Sequence, residues 1–261
     1  MKGILFDLDG VVYQNGEPIT GAANTLGWVQ AKTIPHLFVT NTSSKPRQAI
    51  IDKLAGFGIT TSADHILTPP IAASRWLKHQ FDQARITLYV TDNTHIDFSA
   101  HHVCDEKTNE VDAVIIGDLG ENWNFERMNN AFTQLMNCPK AHLIALGLTR
   151  YWKTAAGLQL DVGPFVKALE YATGKEALVC GKPSVSFFQT AAEQLQLAPD
   201  DLIMIGDDIK GDINGAQQAG LKAMQVRTGK FQPSDLQQGI SPDAIIDSIA
   251  DLPAWWTTHF D

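Results

Sequence analysis

Cysteine is scarce in this 261-residue chain, and its spacing makes no pattern. Cys104, Cys138 and Cys180 are far apart, and no C-x-x-C pair occurs. Neither a zinc knuckle nor a disulfide framework is supported, so the expected state is three reduced, packed thiols. Long apolar runs are also missing: nothing approaches the ~18 consecutive apolar residues of a membrane helix. Asp7 and Asp9 interrupt the first apolar run too early for a signal peptide. Basic charge is in deficit, with a formal net charge of -9. That sign argues against a broad grip on nucleic acid or an anionic membrane. It leaves a small phosphorylated ligand open, because a metal ion and a few local cations reverse the field inside one pocket. Linkers rich in Pro, Gly or Ser, repeats and low-complexity tracts are absent as well. The expectation is a cytoplasmic protein with no nucleic-acid or membrane partner.

What is present is globular usage, 44% apolar and 19% charged, in a chain long enough for two domains or for one carrying a large insertion. Short apolar runs alternate with helical ones. Gly3–Phe6 and His36–Val39 read as strands, Ala22–Lys32 and Pro46–Phe57 as helices, and Ile71–Lys78 as a third helix opened by prolines. Toward the C-terminus Ala177–Cys180, Leu202–Ile205, Ala223–Val226 and Ala244–Ile246 read as strands. Ser184–Gln194 and Ile209–Ala219 read as helices, the second closed by Gly220. Between these halves lie three more strands, Ile86–Val90, Ala113–Ile116 and Leu143–Leu146, with helices at Phe125–Met136 and Pro164–Tyr171. The pattern predicts an α/β fold with a doubly wound, mostly parallel, Rossmann-like core sheet over 1–79 and 177–261. A smaller α/β domain is expected as an insertion over 80–176.

In such sheets ligands bind outside the carboxyl ends of the strands. Past the first strand come Asp7 and Asp9, and past the second Thr40 and Asn41. Lys182 follows the "ALVC" strand; Asp207 and Asp208 follow "LIMIG", with Asp212 five residues beyond Asp207. Asp7 and Asp9, two apart on extended chain, project to one side if the strand persists that far. Two such carboxylates repel unless a cation sits between them or one holds a proton. Asp207 completes an oxygen-rich site of the kind magnesium prefers. Lys182 suits phosphoryl oxygens, and the Thr40 hydroxyl and Asn41 amide suit their orientation. One aspartate is then available to attack phosphorus and the other to move protons.

"DLDGV" at 7–11, "VTN" at 39–41, "GKP" at 181–183 and "GDD" at 206–208 with Asp212 resemble, in order, the four motifs of the haloacid dehalogenase superfamily. The insertion between the second and third resembles the large α/β cap of its p-nitrophenylphosphatase-like branch, and "GPFVKALEYATG" before "GKPSVSFF" strengthens the likeness. The resemblance implies Asp7 as nucleophile and Asp9 as general acid, then base. It implies Mg2+ held by the Asp7 and Asp207 carboxylates and the Asp9 backbone carbonyl. Thr40 and Asn41 would bind the phosphoryl group, Lys182 would steady nucleophile and phosphate, and Asp212 would support the metal site. Asp208 is left without a defined role. The second aspartate favours phosphate-ester or anhydride hydrolysis over carbon–halogen cleavage.

The expected activity is hydrolysis of a small phosphorylated substrate beneath a cap, with Arg150, Tyr151 and Trp152 as candidates for recognising the leaving group. A homodimer is admitted by analogy with that branch. The competing readings are a phosphorylation-dependent signalling switch and a non-catalytic binding protein on the same fold. Other features are read as structural. Asp118 in a second "IIGD" and "VTDNT" at 90–94 are assigned to turns of the insertion, and His101-His102 to a solvated loop. Trp255-Trp256 are assigned to packing. "TGK" at 228–230 lacks the upstream glycine of a phosphate loop, and Phe231 follows it.

Overall fold

A computed structural model describes residues 1–154 and 157–260. By its internal contacts the chain forms two compact units, residues 1–40, 47–67 and 182–261 in the first, and 41–46 and 68–181 in the second. Among the described residues no helix is long and apolar enough to cross a membrane.

The first unit is built on a six-stranded sheet. From one edge its order is Ala244–Ile246, Lys222–Val226, Leu202–Gly206, Gly3–Phe6, His36–Val39 and Ile66–Leu67, and every pairing is parallel. Gly3–Phe6 and Leu202–Gly206 are buried along their whole length, which is why both read as unbroken apolar runs. Ile4, Phe6, Phe38, Ile203, Ile205 and Met224 pack with Leu26 and Val29 of the helix Ala22–Ala31 and Leu54 of Arg47–Gly56. Each fully buried Leu, Ile or Phe of this kind contributes about 1.5–3 kcal/mol relative to exposure. The chain starts in the middle of the sheet, fills one side, and returns on the other side with Leu202–Gly206. Strand order therefore reverses between Gly3–Phe6 and Leu202–Gly206, where a doubly wound sheet opens its crevice.

The second unit has its own parallel sheet in the order Leu178–Val179, His142–Ala145, Ala113–Ile116, Arg85–Tyr89 and His102–Val103. The helices Phe125–Asn137 and Val162–Thr173 supply Ala131, Leu135, Val166 and Leu169 to its core. Trp123 lies stacked between Tyr89 and Phe165, with ring centroids 5.8 and 4.7 Å away. An antiparallel hairpin pairs Tyr151–Thr154 with Gly157–Leu160.

Several expectations change. The "ALVC" segment does form a strand, but Leu178 and Val179 pair with Ile144 and Ala145 of the second sheet, not with the core sheet. The border expected at 176/177 lies instead at 181/182, and the one expected at 79/80 lies at 67/68. Apolar composition marks a buried strand without saying which sheet buries it. The predicted helix over 209–219 is split. Ile209–Asn214 winds as a wide π turn, and only Gly215–Gln218 is α-helical. His101 is buried, its Nε2 3.0 Å from the Ser74 carbonyl oxygen and 3.1 Å from Ser74 Oγ, so it is no solvated loop residue. Asp118 accepts a hydrogen bond from Gly120 N–H at 3.0 Å, the local turn expected of it. Trp256 is buried, and Trp255 stacks on His259 at 4.4 Å.

Candidate active site

The parallel register carries the first strand one residue past its end. Asp7 N–H donates to the Ile205 carbonyl at 2.9 Å, which sets Asp7 beside the end of the neighbouring strand, where Asp207 follows. There the chain turns: Val12 and Tyr13 N–H both reach the Leu8 carbonyl, at 2.9 and 3.1 Å. Asp7 and Leu8 are consequently buried while Asp9 is exposed, so the two aspartates do not share one side of a strand. Strand alternation fails here because Leu8 closes a turn instead of extending the ladder.

Asp7, Asp207 and Asp212 each place a carboxylate oxygen within 4.8 Å of the others, and all three are buried. Lys182 enters this cluster from the start of the C-terminal segment. Its ammonium lies 2.7 Å from Asp7 Oδ1 and 2.7 Å from Asp212 Oδ1, with 6% of the residue exposed. Burial works against the Lys182 charge, but the Asp212 and Asp7 carboxylates outweigh it and hold the ammonium above its ordinary pKa. Burial raises Asp7 despite its Lys182 partner. It pushes Asp207 and Asp212 each up to about 6, against the Lys230 N–H bond at Asp207 and the Lys182 charge at Asp212. Asp212 is therefore a direct partner of Lys182.

The two oxygens of Asp207 have different surroundings. Oδ2 accepts from Lys230 N–H at 2.7 Å, and Gly10 and Gly229 press against it so closely that a Cβ at either would collide with it. Both glycines have positive φ, +84° and +66°, which their lack of a side chain also permits. Oδ1 is buried without a hydrogen-bond partner among the described residues. Behind the carboxylate, the buried Gln225 side chain donates to the Asp207 carbonyl at 2.6 Å.

Three carboxylates against one ammonium leave two negative charges when all are ionised, and Asp207 keeps one buried oxygen without a hydrogen bond among the described residues. This donor set fits a hard divalent cation. The raised carboxylates give a prediction. A folded pKa of about 6 against an ordinary 3.8 means that Asp207 favours the folded state at low pH, and that this contribution is lost as pH rises from about 4 to 6. The Asp207→Asn variant lacks that loss. In chelator its melting temperature relative to the parent should rise between pH 5 and pH 7 by about 2–4 °C, an effect on the order of 1 kcal/mol. An equal difference at both pH values would show that burial does not perturb Asp207.

Thr40, buried, sits one strand over from Asp7, with its N–H on the Leu67 carbonyl at 3.2 Å. Asn41 is exposed and groups with the second unit. Asp208 stands beside the cluster. Its Oδ1 caps the π turn by accepting Lys210 and Gly211 N–H at 3.0 and 2.8 Å, and its Oδ2 is 3.1 Å from Lys230 Nζ. These partners outweigh burial and keep Asp208 below the usual carboxylate range. Arg150 and Tyr151 are exposed at the start of the second unit's hairpin, and the Trp152 side chain lies outside the described residues. The sequence reading missed Thr228, Gly229, Lys230 and Gln225. The question put to four strand ends, asked also of Ala223–Val226, finds "TGK" two residues beyond it.

Comparison with known proteins places the chain in a family. A haloacid dehalogenase-like hydrolase profile matches residues 4–104, and an HAD-hydrolase-like profile matches 179–252. The human protein named phospholysine phosphohistidine inorganic pyrophosphate phosphatase is 38% identical, over 100% of this chain and 96% of its own. Mouse haloacid dehalogenase-like hydrolase domain-containing protein 2 is 35% identical, over 93% of this chain and 90% of its own. In structure, p-nitrophenyl phosphatase from Archaeoglobus fulgidus superposes with a TM-score of 0.89 at 24% identity, covering 97% of this chain and 98% of that one, a likeness of fold. The ordered motifs, the doubly wound sheet with its inserted unit and these full-length relatives together make the chain a member of the haloacid dehalogenase-like hydrolase family, among its phosphatases.

Proposed function

We propose that the protein is a magnesium-dependent phosphohydrolase that acts on a small phosphorylated metabolite by carrying the phosphoryl group transiently on Asp7. The observation that carries this reading is the Lys182 ammonium clamped between Asp7 and Asp212, with the Asp207 carboxylate in the same buried cluster. The Asp7 and Asp207 carboxylates and the Asp9 carbonyl would hold the metal, which supplies neutralising charge at the phosphoryl oxygens when bound. Asp7 attacks phosphorus, and the bond to the leaving oxygen breaks as Asp9 gives that oxygen its proton. Asp9, now a carboxylate, takes a proton from water as the water attacks the phosphorus on Asp7, releasing phosphate and restoring both residues. Asp7 is held in place for attack by the Lys182 ammonium, and Asp9, exposed, is open to a leaving group and to water. Lys182 orients Asp7 and neutralises phosphoryl charge, Asp212 holds Lys182, and Thr40 with Asn41 orients the transferred group.

The human relative's name couples phosphorus–nitrogen compounds with pyrophosphate, so we extend the substrate class from phosphate esters and anhydrides to phosphoramidates. The test is a panel of phospholysine, phosphohistidine, pyrophosphate, sugar phosphates, nucleotides and p-nitrophenyl phosphate. At least one compound should be hydrolysed, with activity lost in chelator and restored by magnesium. No turnover across the panel would return the reading to a non-catalytic binding protein. A phosphorylated Asp7 that decays slowly would favour a signalling switch.

A further inference from the structure

The turn Thr228–Lys230 contacts the acid cluster at both of the segments that build it. Lys230 N–H holds Asp207 Oδ2 at 2.7 Å, and the Gly229 backbone closes on the same oxygen from beside it. The Thr228 hydroxyl donates to the Gly10 carbonyl, which anchors the turn to the segment that begins at Asp7. The Lys230 ammonium reaches Asp208, the residue that caps the turn leading to Asp212.

The geometry points to Thr228 as a positioning residue for the cation site: its hydroxyl locks the Thr228–Lys230 turn onto Gly10, and that lock fixes Asp207 with Oδ1 presented and Oδ2 occupied. The inference rests on the reading of Asp207 as a cation ligand. A carboxylate free to rotate offers either oxygen and loses part of its affinity to that freedom. Here Oδ2 is held by an N–H and walled by two glycines, so the rotation is stopped by backbone from two separate segments. The strand Lys222–Val226 carries the turn and also supplies Gln225, which fixes the Asp207 carbonyl, so one element secures both ends of the residue. Groups that orient a ligand without touching the metal commonly alter metal affinity by about 10–100-fold.

Thr228→Val removes the hydroxyl at nearly constant volume, and Thr228→Ser restores it. Mn2+ binding to the whole protein, followed by electron paramagnetic resonance without substrate, reads the site independently of turnover. Thr228→Val should weaken Mn2+ binding about tenfold and raise the half-saturating magnesium concentration for hydrolysis by a similar factor. Its melting temperature in chelator should stay near the parent's, and Thr228→Ser should bind Mn2+ as the parent does. Thr228→Ala carries the same expectation, so poor folding of the valine variant does not remove the test. Unchanged Mn2+ affinity in the folded variant overturns the inference. A parent that binds Mn2+ and hydrolyses nothing defeats the functional reading, while weakened binding by Thr228→Val would still support the positioning role.

Discussion

Phosphate release by the Asp7→Asn variant should fall by at least about 10³-fold while the fold survives, since a carboxamide cannot serve as the nucleophile. The substitution keeps the side-chain shape and retains an oxygen able to accept from Leu8 N–H, which donates to Asp7 Oδ1 at 2.7 Å. It also removes a buried charge whose pKa burial already raises. The melting temperature should therefore change little, and loss of activity cannot be ascribed to unfolding. Circular dichroism melts alongside phosphate release on the best substrate of the panel check both halves. A variant that melts far below the parent would mean that Asp7 is needed mainly for stability.

Lys182→Met should act on stability and activity together. The ammonium lies between two buried carboxylates, and removing one partner of a buried ion pair costs about 3–5 kcal/mol, because the charge left behind has neither water nor a counter-ion. Part of that cost is avoided by protonation, since burial already pushes Asp212 up to about 6. The destabilisation should thus be largest above neutral pH and shrink toward pH 5. Hydrolysis should drop by about 10²–10³-fold, the scale seen when one preorganised group facing developing charge is removed. Thermal melts across pH and turnover at saturating magnesium measure the two effects. A destabilisation that is the same at pH 5 and pH 8 would contradict the charge-balance account.

The elements around this cluster were legible in sequence to different degrees, for physical reasons. Gly3–Phe6 and Leu202–Gly206 are covered on both faces, so their apolar runs announce central strands and point to Asp7 and Asp207 at their ends. Lys182 was found by the same rule although its strand, Leu178–Val179, belongs to the other sheet. Local sequence carries no information on which sheet a strand joins. Asp9 was recognisable as an acid near Asp7, but its exposure depends on the turn closed at the Leu8 carbonyl. The split of the predicted 209–219 helix accompanies the local Asp208 cap and the turning inward of Asp212 onto Lys182, and the second of these is tertiary in origin. "TGK" was hidden because its job is done largely by backbone: an N–H and a glycine at positive φ have no side-chain signature. A phosphate loop was the wrong comparison for it.

The central claim is that Asp7 carries the phosphoryl group, and the Asp9→Asn variant tests it most directly. Without a base to activate water, the second half of the reaction slows more than the first for substrates whose leaving group needs no proton, such as p-nitrophenyl phosphate. Acid quenching of that variant during turnover, followed by peptide mass spectrometry, should find one added phosphoryl group on Asp7, labile to hydroxylamine as an acyl phosphate is. An unmodified Asp7 under conditions where the substrate is being hydrolysed, or a phosphoryl group on any other residue, would contradict the account.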